Sequence, residues 1–324
     1  MSYYEIPAIS ASSLKLYANN PTLFFKVIKG ETKTKDTEAL SFGRIVHSKV
    51  FTPELFKDEY IISSESCPPA ISAVLDNLLT NALALEVYDL KSLRTQILDC
   101  CKVCSYQSSW KENTKIESIL KYEKYWDFMI ASRDKKIITM EDYLNANIYE
   151  ECLRNHPGAA ALIFGEDEEV LLEHEIFWEY KGLPMKSKLD KVKINHTNKV
   201  IKLIDLKTTS ESVYGRVLYN DVSPYTSIYT GFLRECVKYD YILQLGGVYY
   251  EAVKSLFPDY RIEVYVVPVN SFQSTAYKFP DKWVYAGLGR FNSYISEIIQ
   301  VSKVREDRSI MDLYHPIIDL EDYI

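Results

Sequence analysis

The segment Lys186–Thr209 carries acidic and basic side chains at spacings that suit chemistry. Its first part alternates charged and apolar residues, turn formers follow from Asn195, and the last part is β-branched and apolar, which predicts a hairpin. Because successive side chains of a strand point to opposite faces, Asp205 and Lys207 share one face, and Asp190 can lie beside them on the neighbouring strand. Two carboxylates and a lysine at one end of a hairpin suit a hard divalent cation and a metal-activated water.

A second interpretation of the Asp205–Lys207 pair is a solvated surface pair, which is common for Asp-x-Lys on a strand. The strand before it is apolar, with Ile201, Leu203, Ile204 and Leu206. A charged pair at the end of a buried strand needs partners or a chemical task. Both interpretations are open at this point.

His47 and Glu175 are further candidates that other elements would have to bring to the pair. His47 lies in a helix predicted from Ala39 to Phe56, on the same face as Gly43, where a glycine lets another backbone approach. A neutral imidazole is a good metal ligand, although an isolated histidine is more often a core residue with one hydrogen bond. Glu175 faces the same side of its strand as Glu173, and it is either an outer-shell group or a solvated carboxylate.

The composition is that of a soluble globular protein. The chain has 324 residues, 47% hydrophobic and 26% charged, and no apolar run reaches the ~20 residues of a membrane span. The net charge of −7 argues against a protein that coats nucleic acid through a basic surface, but not against a local DNA groove. The first ten residues lack the features of a signal peptide, so a cytoplasmic location is expected.

The six cysteines do not form a recognisable metal motif. Cys101-x2-Cys104 has a suitable spacing, but no second pair of cysteines or histidines follows it. Reduced structural thiols are therefore expected.

The order of predicted elements indicates a mixed α/β fold. Residues 58–165 are mainly helical, and strands begin at Glu168 and include the hairpin. A helix from about 235 to 257, a buried strand at 261–269 and a terminal helix at 281–304 follow. Helices therefore pack over a sheet that holds the carboxylates.

Four motifs, taken in order, resemble the PD-(D/E)XK nuclease superfamily. They are Gly43-x3-His47, Lys188-Leu189-Asp190, Ile204-Asp205-Leu206-Lys207-Thr208-Thr209 and Tyr241-x2-Gln244. The branch that they resemble is that of the RecB/RecE-type exonucleases, which includes phage recombination exonucleases and CRISPR adaptation nucleases, and Ser10-x-Ser12-Ser13-Leu14 also fits it. The resemblance implies a restriction-endonuclease-like mixed β-sheet core flanked by helices, with a helical N-terminal half. It further implies one nuclease domain over residues 1–324 with a helical insertion at about 58–165.

The resemblance also implies roles for individual residues. His47, Asp190 and Asp205 would bind Mg2+, or Mn2+ in its place, together with the Leu206 backbone carbonyl. Lys207 would orient or deprotonate the attacking water and stabilise charge on the phosphate. DNA contacts would come from Gln244, Tyr241, Ser12 and Thr208.

The sequence departs from the family pattern at two places. A tyrosine is expected four residues after Gln244, where Val248 stands. Tyr249 is one residue late, about 140° around an α-helix from Gln244, whereas Tyr241, three residues before Gln244, lies on the correct face and is a candidate substitute. Whether Tyr241 or Tyr249 replaces the family tyrosine is open at this point. The iron–sulfur cysteines that some relatives carry near the C-terminus are missing after Cys236, which predicts no iron–sulfur cluster.

The predicted function is a Mg2+-dependent DNA exonuclease that acts on duplex ends in recombination or repair, in a bacterial cell or a phage-infected host. The alternatives are an endonuclease of a defence or restriction system and a non-catalytic DNA-binding subunit with a nuclease fold. A single-strand annealing protein and further copies of the chain in a ring-like homo-oligomer are the implied partners, without a membrane. The polarity of digestion is not determined by the sequence.

Overall fold

A computed structural model of the protein describes Tyr3 and residues 6–32, 37–63 and 67–305. The chain divides into two compact units. One contains the residues up to Phe51 and those from Ile148 onward, and the other is Thr52–Asn147. The predicted single domain with an insertion at about 58–165 stays a prediction.

The described residues contain thirteen α-helices and nine strands. The helices are α1 (Ala11–Asn19), α2 (Pro21–Ile28), α3 (Glu38–Phe51), α4 (Pro53–Glu59), α5 (Pro69–Leu85), α6 (Arg94–Val103), α7 (Glu112–Leu120), α8 (Glu123–Ala131), α9 (Met140–Asn155), α10 (Pro157–Ile163), α11 (Gly231–Lys238), α12 (Tyr250–Leu256) and α13 (Asp281–Arg305). The strands are β1 (Tyr60–Ser63), β2 (Lys136–Thr139), β3 (Glu169–Tyr180), β4 (Leu183–Asn195), β5 (Val200–Thr208), β6 (Val217–Tyr219), β7 (Ile228–Tyr229), β8 (Arg261–Val269) and β9 (Tyr277–Lys278).

The main sheet is five-stranded and mixed, in the order β3-β4-β5-β8-β9. Strands β5 and β8 are parallel, and the other neighbouring pairs are antiparallel. The parallel pair needs a crossover, and the helical segment 231–256 supplies it. The predicted mixed sheet flanked by helices and the helical N-terminal half are confirmed.

The predicted hairpin around Asn195 is the pair β4–β5. Lys191 pairs with Ile204, which sets Asp190 beside Asp205. One face of this hairpin is fully buried under the crossover helices, and burial of each such aliphatic side chain contributes about 1.5–3 kcal/mol. The residues of that face include Val192, Ile194, Ile201 and Leu203. On the opposite face the Lys191 ammonium donates to Ile163 O at 2.6 Å and caps the end of α10.

The helix that the sequence predicts from about 235 to 257 is not continuous. After α11, Asp240 takes a left-handed φ of +50°, and its carboxylate accepts a hydrogen bond from Leu243 N at 3.2 Å. Residues Ile242–Tyr249 then form a π-helix, in which the Tyr250 N–H reaches Leu245 O, five residues back, before α12 continues the chain. Apolar periodicity does not distinguish a π-turn from an α-turn, which is why the sequence did not predict this break.

Close backbone packing against α13 accompanies the π-helix. A Cβ placed on Gly247 would lie 2.7 Å from Gly287 O, and a Cβ on Gly287 would lie 2.3 Å from Ile242 O. Only residues without a side chain permit this approach. Helix α13 therefore holds the π-helix against the sheet.

The unit Thr52–Asn147 has its own core. Trp126 is fully buried there with Leu75 and Ile97, and its indole N–H donates to Tyr88 O at 2.6 Å. Strands β1 and β2 form a parallel pair that the sequence did not predict, because four residues are too few to show periodicity. Among the described helices no single one is long and apolar enough to cross a membrane.

The contact between α13 and the π-helix predicts opposite effects for two glycines of α13. Gly287→Ala should destabilise the protein by about 1–3 kcal/mol, because its methyl group would overlap Ile242 O. Gly289→Ala, whose Cβ would meet nothing within 4 Å, should be neutral or stabilise by about 0.5–1 kcal/mol. Urea unfolding of both variants gives the comparison, and equal effects would contradict the packing described.

Candidate active site

The backbone of Leu206 joins two groups of charged side chains at the end of β5. Its N–H donates to Asp190 Oδ2 at 2.8 Å, and its carbonyl lies 2.9 Å from His47 Nε2. A carbonyl only accepts hydrogen bonds, so Nε2 carries the proton of the imidazole. Helix α3 can come this close because Gly43 has no side chain, and a Cβ there would lie 3.3 Å from Thr208 Oγ1.

The first group consists of His47, Glu173 and Asp190. His47 Nδ1 lies 3.7 Å from Glu173 Oε1 and 3.6 Å from Asp190 Oδ1. One potential ligand atom from each of the three lies within 4.8 Å of the others. With the proton on Nε2, a neutral His47 ring directs the Nδ1 lone pair toward the two carboxylates, an arrangement typical of metal-binding histidines.

Glu173 is the acidic residue that the sequence did not single out. It has a φ of +46°, and the pairing of β3 with β4 is interrupted at it. A side chain in the left-handed region costs about 1–3 kcal/mol, a strain that proteins retain mainly at functional sites. Here the carboxylate meets His47 and the Lys188 ammonium, the latter at 3.0 Å. Glu175 lies two residues further along the strand and is exposed, and its outer-shell role stays a prediction.

The second group consists of Asp205 and Lys207, which pair through Asp205 Oδ2. The Asp205 side chain is only 2% exposed, so this pair is shielded from water. Burial alone would lower the pKa of Lys207, but the Asp205 and Asp190 carboxylates raise it above its ordinary value. Lys207 is therefore held as an ammonium.

The π-helix brings Gln244 over Asp205 and gives the two candidate tyrosines different surroundings. Gln244 Nε2 lies 3.5 Å from Asp205 Oδ1. Burial, together with the Asp205 and Asp190 carboxylates, raises the pKa of Tyr249 well above its ordinary value, so its hydroxyl stays protonated near the site. Residues five apart come together in a π-helix, whereas in an α-helix they are about 140° apart. Tyr241 instead presents its ring to two ammoniums, Lys15 at 5.0 Å and Lys207 at 5.3 Å from the ring centroid.

The crowding of acidic groups changes their ionisation. Burial, with the nearby Asp205 carboxylate, raises the pKa of Asp190 to about 7, although His47 opposes the change. Burial alone would lower the pKa of His47, but Asp190 and Glu173 raise it above its ordinary value. Without a metal, a proton on Asp190 or on His47 therefore relieves the repulsion among the carboxylates.

The residues present fit a divalent cation. Among the described residues, Glu173 Oε1 and Asp205 Oδ2 are buried without a hydrogen bond, although Asp205 Oδ2 lies against the Lys207 ammonium. Buried oxygens of this kind normally have a partner, and a cation would supply one. Carboxylate oxygens with one imidazole suit Mg2+ or Mn2+.

Ser12 and Thr208 are the remaining residues to which the resemblance assigns DNA contacts. Ser12 is exposed on α1, and its hydroxyl lies 2.9 Å from that of Ser10. Thr208 follows Lys207 and is half-buried beside Gly43. Their contacts with DNA stay predictions.

The raised pKa of Asp190 predicts that this residue destabilises the metal-free protein. Since its folded pKa lies above that of an unfolded chain, ionisation opposes folding, and this cost is complete above about pH 7. Asp190→Asn keeps an oxygen for the Leu206 N–H and should raise stability above that pH by about 1–3 kcal/mol. Thermal unfolding without metal measures the gain, and Mg2+ should no longer raise the melting temperature. A less stable variant would contradict the ionisation described.

Comparison with known proteins identifies the family of this chain. Residues 10–309 match the family described as a PDDEXK-like domain of unknown function (DUF3799). A crystal structure from Eubacterium rectale, described as a "Putative exonuclease", covers 98% of this chain and 96% of its own at 13% sequence identity, with a TM-score of 0.45. That similarity is too low to indicate a shared activity, and no curated protein matches the sequence. Because the family match covers nearly the whole chain, the protein belongs to this PDDEXK-like family, and thus to the PD-(D/E)XK nuclease superfamily with its restriction-endonuclease-like fold.

Proposed function

We propose that the protein is a divalent-metal-dependent deoxyribonuclease that hydrolyses phosphodiester bonds from DNA ends. The observation that carries this proposal is the convergence of three carboxylates, a histidine and a protonated lysine at the end of β5. Burying charged groups costs free energy, and clusters of buried charge are found mainly at functional sites. Action on DNA ends rests on the motif order that resembles the RecB/RecE-type exonucleases, and duplex DNA is the expected substrate.

The proposed metal ligands are His47, Glu173 and Asp190, with Asp205 on the adjoining side. Glu173 enters this set because its carboxylate, rather than that of Glu175, lies with the His47 and Asp190 ligand atoms. The Leu206 carbonyl stays a predicted ligand, and in the structure it accepts the hydrogen bond of His47. When bound, Mg2+ or Mn2+ would polarise the phosphate and lower the pKa of water.

Lys207 acts as an ammonium in this proposal. Its raised pKa makes it a poor base, so it would orient the attacking water and stabilise negative charge that develops on the phosphate. Asp205 holds Lys207 in place through the ion pair. Of the two roles toward the attacking water that the sequence left for Lys207, orientation is therefore favoured over deprotonation.

Digestion of linear and closed-circular DNA, labelled at either end, tests the activity with Mg2+ or EDTA. Mg2+-dependent loss of linear DNA alone is expected, and the labelled end that is lost first gives the polarity. Cleavage of closed circles would instead indicate an endonuclease. An inactive protein that still binds DNA would indicate a non-catalytic subunit.

Two substitutions separate the roles of the second group. Asp205→Ala should abolish metal binding and lower hydrolysis by about 100-fold or more, because Lys207 and the metal both lose a carboxylate. Lys207→Ala should lower turnover similarly but leave metal affinity nearly unchanged. Calorimetric titration with Mn2+ beside the digestion assay measures both. Asp221→Ala is the control, because Asp221 is in the loop between β6 and β7, outside the site. Normal activity of Asp205→Ala would refute the assignment.

The two tyrosines should respond differently to removal of their hydroxyls. Tyr249→Phe removes a hydroxyl that is buried near the Asp205 and Asp190 carboxylates, so turnover should fall by about 5- to 10-fold. Tyr241→Phe keeps the ring over which Lys15 and Lys207 lie and should remain within about twofold of the wild type. Steady-state digestion kinetics provide the comparison, and the reverse order would assign the family tyrosine to Tyr241.

A further inference from the structure

Lys15 of α1 reaches the site from the other end of the sequence. Its ammonium lies 2.7 Å from Gln244 Oε1, a hydrogen bond between residues 229 positions apart in the chain. The same ammonium lies over the Tyr241 ring. None of the family motifs includes this lysine, and the nuclease mechanism proposed above does not use it.

The Lys15 contact determines which end of the Gln244 side chain faces Asp205. A carboxamide has one accepting end and one donating end, and an ammonium is only a donor. The Gln244 oxygen must therefore face Lys15, which leaves the Gln244 amino group toward Asp205 Oδ1. Burial, together with the nearby Lys207, lowers the pKa of Lys15 to about 7, so the ammonium form predominates on the acid side of that value.

We propose that Lys15 is a positioning residue, which holds the Gln244 carboxamide so that its amino group donates to Asp205. Its consequence for catalysis rests on the proposed nuclease function, whereas the orientation itself does not. Asp205 is then held on both oxygens, by Gln244 at Oδ1 and by Lys207 at Oδ2. Without Lys15, the long 3.5 Å contact with Asp205 would be left to orient the carboxamide.

The helix that carries Lys15 is well suited to this task. Ser10 caps α1, because its side chain accepts from Ser13 N and its own N–H donates to Ser13 Oγ at 2.7 Å. Leu14 and Tyr17 are buried in a core that includes Leu243 and Val248 of the π-helix. The lysine and the glutamine thus stand on two elements that pack directly against each other.

The first test reads the Gln244 side chain in metal-free protein. The 1H–15N signals of its amino group, assigned with Gln244→Glu, should shift or broaden in Lys15→Met and return toward the wild-type positions in Lys15→Arg. The spectra are recorded on the acid side of the Lys15 pKa. Lys26→Met is the matched control, because Lys26 is exposed on α2. Unchanged Gln244 signals in Lys15→Met would overturn the proposal.

The second test is a double-mutant cycle on hydrolysis. Lys15→Met should lower kcat by about tenfold with little change in KM, since a charge-assisted hydrogen bond is lost. If Lys15 acts through Gln244, the variant with Lys15→Met and Gln244→Ala should be no slower than Gln244→Ala alone. Additive losses, or a raised KM that depends on salt, would show that Lys15 contacts DNA by itself and would overturn the proposal.

The two tests separate the inference from the proposed function. A wild-type protein that hydrolyses no DNA would refute the nuclease proposal, while the Gln244 signals would still decide the role of Lys15. An active wild type with unchanged Gln244 signals in Lys15→Met would leave the nuclease proposal standing and refute the positioning role.

Discussion

Repulsion among three carboxylates at the end of β5 is the constraint on which the rest of the site depends. Glu173, Asp190 and Asp205 lie around the Leu206 backbone with little access to water. Charges at this burial need partners within hydrogen-bond distance, because solvent no longer screens them. The neighbouring elements supply those partners: His47 from α3, and Lys188 and Lys207 from the strands themselves.

The sheet fixes where the charges meet. Strand β5 lies between β4 and β8, so its backbone is paired on both sides and its apolar side chains are buried. Such a strand has no freedom to shift, and a slip of one residue would move Asp205 and Lys207 to the opposite face. Burial of the apolar side chains of the hairpin thus offsets the free-energy cost of holding the carboxylates together. The carboxylates themselves still repel one another.

The π-helix changes which residues of this segment share a face. Tyr249 follows Gln244 one residue later than the tyrosine of the family pattern, and an α-helix would carry Tyr249 to another face. Backbone hydrogen bonds between residues five apart turn Tyr249 back toward the face of the helix that carries Gln244. Glycines of the π-helix and of α13 make room for this geometry.

The sequence by itself determined the mixed fold and the β4–β5 hairpin, since alternation along a strand fixes which side chains share a face. It also indicated His47, Asp190, Asp205 and Lys207, which the structure brings together. Only the tertiary structure decided the place of Glu173, Lys15 and Tyr249. The left-handed backbone of Glu173, the contact of Lys15 across 229 positions and the π-turns before Tyr249 leave no periodic trace in the sequence. They arise from the packing of helices and strands against one another, which a local sequence pattern does not record.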